Sequence, residues 1–543
     1  MIGTDWPERP LLREGAFCIP HQVLLSFVVK QSHRTRGTPL KYPSERHDEE
    51  RVSTSAPLAP AEPVLPGDGA AVTAPAPSVG TWVKAHLARR RWPAFAASLM
   101  VIVGMAFMFQ WNPLFHHLDS WATPGDMWGI FRGAHYVGWG YLGGIYTQGT
   151  GIVTLPGMPI LLAPVALLTG HFHLSESFMP YFLAKPTAAL VLMPAEILLA
   201  STVVFASDAL AEQLGVPARR RVVLCVAVAT LAWPTAAVWG HGEDSLAMAF
   251  ALYALLALAV RRPMAAGWLL GLGIAMQPLV ALLLPLFLAQ TPTGRRVLVA
   301  VRAVALPVFL VAVAFAGDAS DAYRAMVVQP TPPSVNHATP WVYLAPKVSS
   351  GSTPIGHTVT IARGAGHQLT ASTVNLGAPL TFVAGGPGRV IDVLLVLLLS
   401  AYLWRRPQPM SRFLWIAAVV LASRCVFEAV MTPYYLVPPL ILALILAARC
   451  NARRFWAAVV VSAELTVFAY HHLEPWVFWL PIVVGQCAVL ALCYPSGSTS
   501  PGAPEDGDDE GERSWRIHSD QVDSVTAEES SPRAERESQP ALV

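Results

Sequence analysis

Charge is what this chain has least of. Asp, Glu, Lys and Arg make up only 13% of its 543 residues, about half the ~25% of an average soluble domain, while 54% are hydrophobic. Too little polar surface is left to wrap a soluble core of this size, and a mean hydropathy of +0.46 agrees. Cysteine is scarce as well. The six residues Cys18, Cys225, Cys425, Cys450, Cys487 and Cys493 form no CxxC pair, which leaves them as thiols that pack as small hydrophobes. A net charge of +2 with no lysine-rich arm and no basic-aromatic platform excludes nucleic acid as a partner. The chain has no phosphate-cradling P-loop and no Gly-x-Gly-x-x-Gly after a strand, so a nucleotide-driven pump is excluded too. Neither the histidine pair His116/His117 nor the pair His171/His173 has a third ligand at familiar spacing, and the expectation is no metal and no cofactor. Internal repeats of the kind that inverted-repeat transporters carry are not visible.

Long apolar runs are what the sequence does contain. Runs of about 18 residues or more can each span a ~30 Å hydrocarbon core. They predict helices at about 93–110, 181–206, 222–240, 244–260, 297–316, 390–404, 412–430, 433–449, 455–472 and 474–493. Two further segments, 153–170 and 264–290, are broken by Pro156, Pro159 and Pro164 and by Pro278 and Pro285. The fold class expected is therefore an all-α polytopic membrane protein. Residues 1–88 are Pro/Ala-rich and 494–543 acidic and Ser-rich, compositions that cannot bury enough apolar surface to fold, so both are expected to be disordered.

Short arginine-rich loops stay cytoplasmic. The clusters at 89–91, 219–221, 261–262, 295–296, 405–412 and 449–454 should thus share one side, with the acidic tail on that side too. That rule sends the first loop (about 111–152), the turn WGHGEDS, the long loop (about 317–389), EAVMTPYY and HHLEP to the extracytoplasmic face. It also requires an even number of crossings between Arg262 and Arg295, too short a stretch for two full helices, so 264–290 must dip and return around Gln277-Pro278 or not cross at all.

Polar groups gather on that face. Asp119 and Asp126 lie in the first loop. Arg424 and Glu428 sit four apart in an apolar segment, on one helical face, as a structural pair or as a site. His241, Glu243 and Asp244 fill a turn too short for a domain, either as polar punctuation with Asp244 or Ser245 capping the next helix or as part of a site. A proline-stiffened loop presents Asn336, His337 and Trp341, a combination suited to sugar recognition. Lys185 and Glu196 share one apolar segment and are candidates to line a cavity.

This arrangement resembles the GT-C class of integral-membrane glycosyltransferases, and most of all glycosyltransferase family 87, the polyprenol-phosphate-mannose-dependent mannosyltransferases. Asp126, Ala134 and Tyr146 match the spacing of that family's first-loop acid, small residue and tyrosine. LPGMPILLAPVALL stands where the family has a Tyr-Pro-Pro element. Gly267, Gly271 and Pro278 fit its Gly-x-x-x-Gly stretch, with Gln277 in place of a common lysine and Glu243-Asp244 in place of an amide. VNHATPW resembles its Asn-Gln-Ser element, with His337 at the glutamine position, and Tyr434-Tyr435 resembles its late tyrosine pair. The likeness covers about 93–493 within a domain of 89–493.

The resemblance implies a bundle of about 10–13 transmembrane helices with long extracytoplasmic loops. It implies a cell-membrane enzyme that moves a sugar, mannose in that family, from a polyprenyl-phosphate donor to a lipid or glycan acceptor outside the cytoplasm. Asp126 would be the general base, with Asp119 the second choice. Arg424, helped by His337, would meet the donor phosphate; Trp341, Tyr434 and Tyr435 would stack on sugar or lipid; Glu243 and Asp244 would hold hydroxyls. The rival reading is a transporter or flippase of a lipid-linked or polar solute, with Lys185, Glu196, Arg424 and Glu428 along an alternating-access path.

Overall fold

The computed structural model describes residues 90–110, 121, 123–146, 152, 154–175, 185–333, 336–348 and 381–495, and the backbone alone of 358–364 and 369–375. The chain divides into two compact units, Met1–Arg91 and Trp92–Val543, and the first contributes only Arg90 and Arg91 to the described residues. Asp119, the region 1–88 and the tail beyond 495 lie outside them.

The second unit is helical. In order come α1 (Arg91–Gln110), α2 (Gly125–Gly138), α3 (Gly157–His171), α4 (Ala189–Ala200), α5 (Thr202–Gln213), α6 (Ala218–Ala237), α7 (Gly242–Ala259) and α8 (Pro263–Met276). Then follow α9 (Leu284–Gln290), α10 (Arg296–Gly317), α11 (Ala319–Tyr323), α12 (Pro387–Arg405), α13 (Met410–Phe427), α14 (Val437–Ala447), α15 (Ala452–Phe468) and α16 (Pro475–Leu492). Among the described residues eight helices are long and apolar enough to cross a membrane, α4 and α5 counting as one across Ser201, which makes this a multi-pass helical membrane protein. Helices are what apolar runs must form in lipid, where every backbone N–H and C=O has to be satisfied within the segment. Proline is accordingly tolerated inside α3, α4, α6, α10 and α16.

Contacts between helix ends give the direction of each element. The start of α6 meets the end of α14, where Arg220 Nη1 donates to the carbonyl of Ala448 at 3.0 Å and to that of Cys450. The Arg296 guanidinium lies over the Trp404 ring, 3.7 Å from its centroid, so the Arg295/Arg296 and Arg405/Arg406 turns adjoin. At the other end the Trp239 ring, after α6, packs on Tyr434 and Tyr470 at 6.0 Å each, and Gly388 opens α12 against the Phe427 carbonyl that closes α13. The arginine clusters described thus gather at one end of the bundle and the acidic turn at the other, as the charge distribution predicts.

Segment 264–290 is the dip and return that this alternation requires. α8 runs back along α7 until the Gln277 side-chain amide donates to Asp244 Oδ1 at 2.6 Å, in the first turn of α7. There Gln277 turns extended (φ −144°, ψ 117°), Pro278–Leu283 forms a 3-10 turn, and α9 descends until Gln290 reaches the Gln408 carbonyl beside the arginines. Gly267 and Gly271 let α10 come against α8: a Cβ built on either would lie 2.9 Å from a carbonyl oxygen of Val299 or Ala303. Small residues at four-residue spacing are the means by which helices approach closely in lipid. The same stretch puts α7 at the centre, with 78% of its apolar window buried, against 28% for α10 and α12 and 22% for α16.

The first loop is more ordered than expected, because it carries α2, which buries Met127, Trp128, Ile130, Phe131, Ala134 and His135. The expected 181–206 helix starts at Ala189 and runs on to Gln213, and the expected 412–430 helix stops at Phe427. In the long loop, strands β1 (His337–Ala338) and β2 (Lys347–Val348) are followed by a hairpin of β3 (Thr358–Gly364) and β4 (Leu369–Asn375), then by β5 (Phe382–Val383). β2 pairs with β5, and β1 pairs antiparallel with β6 (Val430–Met431), His337 opposite Met431, which ties the loop to the end of α13.

Candidate functional site

Two segments far apart in sequence build the centre. Pro124 precedes α2 and leaves Asp126 in its first turn, where the helix N-terminus favours an acid. The turn before α7 passes directly over it: Gly240, at φ +72°, has no room for a side chain against the Met127 backbone and the Pro124 ring, and only glycine meets both conditions cheaply. That turn delivers His241 between two acids. Its Nε2 lies 3.0 Å from Asp126 Oδ2 and its Nδ1 lies 2.7 Å from Glu243 Oε1.

Carboxylate oxygens only accept, so an imidazole facing one on each nitrogen donates from both and is cationic. Burial opposes that charge, but Tyr434, Glu243 and Asp126 outweigh it and hold His241 well above its ordinary pKa. For Asp126, the protein packed around it would raise its pKa, yet the bond and charge of His241 win and hold it below the usual carboxylate value. The Asp126 side chain nonetheless keeps 63% of its surface accessible, whereas Glu243 keeps 1%. Asp126 is therefore the outward terminus of a buried His-Glu pair.

Three more polar groups converge from below. Glu196, 1% exposed on α4, accepts from the Gly242 N–H through Oε1 at 2.9 Å. Asp244, 6% exposed, takes the Gln277 amide on Oδ1 and turns Oδ2 toward His241 Nδ1 at 4.0 Å. Of the two readings of this turn, capping by Asp244 or Ser245 is ruled out: His241 is the N-cap of α7, no side chain caps it, and Asp244 is engaged by Gln277 instead. Glu196 Oε2, Glu243 Oε2 and Asp244 Oδ2 are buried with no hydrogen-bond partner.

The aromatic pair links this centre to Arg424. The Tyr434 ring lies 4.4 Å from the His241 ring and 5.1 Å from that of Tyr435, and the Arg424 guanidinium sits over Tyr435 at 3.7 Å. The anticipated Arg424–Glu428 pair is present but loose, Nε to Oε2 at 3.7 Å, because α13 ends at Phe427 and Arg389 takes Glu428 Oε1 at 2.8 Å. Asp126, His241, Glu243, Asp244, Tyr434, Tyr435, Arg424 and Glu428 thus form one continuous set of contacts.

The remaining candidates flank it. Trp341 and Trp479 both donate their indole N–H to the Val426 carbonyl at 2.8 Å, pinning loop and α16 to α13. His337 is buried between the rings of His472 and Phe478, at 4.3 and 4.5 Å. Burial, with His472 and His471 nearby, lowers it to about 4, so it is neutral at pH 7 and brings no charge to a phosphate. Asn336 lies one residue before β1, its N–H on the Pro332 carbonyl. Tyr146 stands apart, donating to the Thr154 carbonyl at 2.8 Å in a small core with Ile145, Ile152, Ala314 and Ala322. Lys185 is exposed ahead of α4.

Glu196, Gln277 and Arg389 are the members that sequence reasoning did not place here. An acid inside an apolar run was the available signal for Glu196; its partner, the Gly242 amide, is 46 positions away. Below Asp244 lies a cavity of about 10 Å3, lined by Gln277, Met248, Leu283 and Pro438 among others, the room of roughly one water and far too small for a sugar. No protein-family model matches the chain, and no curated protein matches it.

Proposed function

We propose that this protein is a membrane glycosyltransferase with a GT-C-like bundle, moving a sugar, mannose first, from a polyprenyl-phosphate donor to a lipid or glycan acceptor at its acidic, extracytoplasmic end. The observation that carries the reading is the position of Asp126: accessible, held as a carboxylate, and oriented by a buried His241–Glu243 pair. An acceptor hydroxyl can approach it, and a positioned base within about 3 Å of that proton is what the attack requires. The leaving polyprenyl phosphate is an anion; Arg424 supplies fixed positive charge in the same contact network, on a guanidinium suited to phosphate. His241 acts through Asp126 and is a positioning residue. Trp341 and the tyrosines offer rings for sugar or prenyl chain.

The test is transfer of label from radiolabelled polyprenyl-phosphate-mannose to endogenous lipid acceptors in membranes with and without the protein. Wild type should form a labelled product that Asp126→Asn does not, at equal expression; a fully active Asp126→Asn protein sinks the reading. The buried acids Glu196 and Asp244, each with one oxygen unpartnered, favour a second one, a transporter or flippase in which those groups carry protons. That reading predicts solute flux without covalent product, lost in Glu196→Gln and retained in Asp126→Asn.

A further inference from the structure

The acids around His241 exceed the cations that answer them. Asp126, Glu196, Glu243 and Asp244 surround one imidazole, and the neighbouring cation, Arg424, is shared between Asp244 and Glu428. Buried carboxylates at this density need a proton or a cation each to be tolerated. Within the cluster, ligand atoms of His241, Glu243 and Asp244 all lie within 4.8 Å of one another. Independently of that proximity, Glu243 Oε2 and Asp244 Oδ2 are buried without any partner, and Oδ2 is the atom aimed at His241 Nδ1.

We propose that His241 Nδ1, Glu243 and Asp244 bind one divalent transition-metal ion of the Mn2+ or Zn2+ class. An imidazole nitrogen with carboxylate oxygens suits these ions, whereas Mg2+ and Ca2+ prefer oxygen alone. Metal–ligand bonds of about 2.0–2.2 Å set tetrahedral ligand atoms roughly 3.4 Å apart, so the Glu243 carboxylate, now 2.7 Å from Nδ1, has to back away while Asp244 Oδ2, now at 4.0 Å, moves in. Binding exchanges the Nδ1 proton for the metal: the Nδ1–H bond to Glu243 breaks, the proton leaves to solvent, and the carboxylate turns its oxygens to the ion. His241 then keeps its Nε2–H on Asp126, a carboxylate–histidine–metal arrangement in which the outer acid fixes the tautomer and orientation of the ring. The amide end of α7 stabilises Glu243 and Asp244 in the deprotonated form that ligation needs. Glu196 stays outside the set, its Oε1 held by the Gly242 N–H. The site stands apart from the transferase reading, since its readout is binding alone.

The experiment uses the full chain purified in detergent and stripped with a chelator. Mn2+ is titrated while the free-ion electron paramagnetic resonance signal is followed, and Zn2+ is counted by mass spectrometry after dialysis. One equivalent of either ion, with Mg2+ failing to compete at equal concentration, is the expected result. Glu243→Gln and Asp244→Asn should each weaken binding at least 100-fold, and Asp126→Asn about 10-fold as an outer partner. Wild-type protein that takes up less than a fifth of an equivalent of both ions overturns the proposal whatever the variants do. So does stoichiometric binding that survives Glu243→Gln and Asp244→Asn unchanged. If those variants elute as aggregates, a rise in wild-type melting temperature with Zn2+ or Mn2+, reversed by chelator and absent with Mg2+, supports the site, and its absence counts against it.

Discussion

The two ends of the bundle handle charge in opposite ways. At the arginine end Arg220 caps the carbonyls of Ala448 and Cys450, Arg296 reaches the Thr291 carbonyl at 2.9 Å, and Arg221 holds Asp208 and Glu212 at 2.8 and 3.0 Å. Each of these guanidinium groups closes a helix end or answers an acid on the preceding helix. At the acid end Glu196, Glu243 and Asp244 lie in a central, more deeply buried place and each keeps an oxygen with no partner. A satisfied charge fastens helices together. An unsatisfied one in a low-dielectric interior costs stability, and it is expected to persist where something else is to be met.

The contrast predicts that variants at the two ends separate stability from activity. The largest effect belongs to Asp126→Asn, which should lower sugar transfer by about 10^2–10^4-fold, the usual worth of a general base, with only a small fall in melting temperature, because Asn keeps an oxygen to accept from His241 Nε2 on a largely exposed side chain. At the other end Arg220→Gln should do the reverse, reducing unfolding free energy by about 1–3 kcal/mol through the two abandoned carbonyls while transfer is retained. Thermal melts in detergent beside the transfer assay distinguish these outcomes; an arginine-end variant that loses activity at full stability breaks the comparison.

Glu196→Gln sharpens it. The amide still accepts from the Gly242 N–H and cannot ionise beside Glu243, so the melting temperature should match that of wild type in mild acid and exceed it at alkaline pH. A fall would mean that the carboxylate is structural. The smallest effect concerns His337. Unfolded, it takes a proton near pH 6.5; folded, only near 4. Between those values the unfolded chain binds more protons, so this group costs nothing above about pH 6.5 and stability falls as pH drops toward 4. Melts at pH 7.5 and pH 5 should show a steeper loss in wild type than in His337→Phe, which keeps the ring stack on Phe478.

Much of this division is legible in the sequence. Apolar runs placed most of the spanning helices to within a few residues, the run at 181–206 being displaced to 189–213 and those at 433–449 and 455–472 giving shorter helices, and arginine clusters sorted their ends, because both signals are local and lipid imposes them strongly. The even-crossing requirement left a dip and return around Gln277-Pro278 or no crossing at all, and the chain takes the first. Long-range pairing was not legible. A cap stayed open as a reading of Asp244 because its partner, Gln277, lies 33 positions on, and a simple Arg424–Glu428 pair stayed open because Arg389, across a long loop, was not in view. Four glycines among fourteen residues masked α2 as loop, although Met127, Ile130, Phe131 and Ala134 carry its buried face.

The hairpin of α8 and α9 has a consequence for how the protein is made. A stretch that leaves the arginine end and comes back to it adds no net crossing, so every later helix inserts with the same orientation whether or not it is there. Lengthening or losing it would undo the floor beneath Asp244, where Gln277 stands, yet invert nothing downstream. The bundle's orientation and the shape of its acidic centre can therefore change independently over evolution.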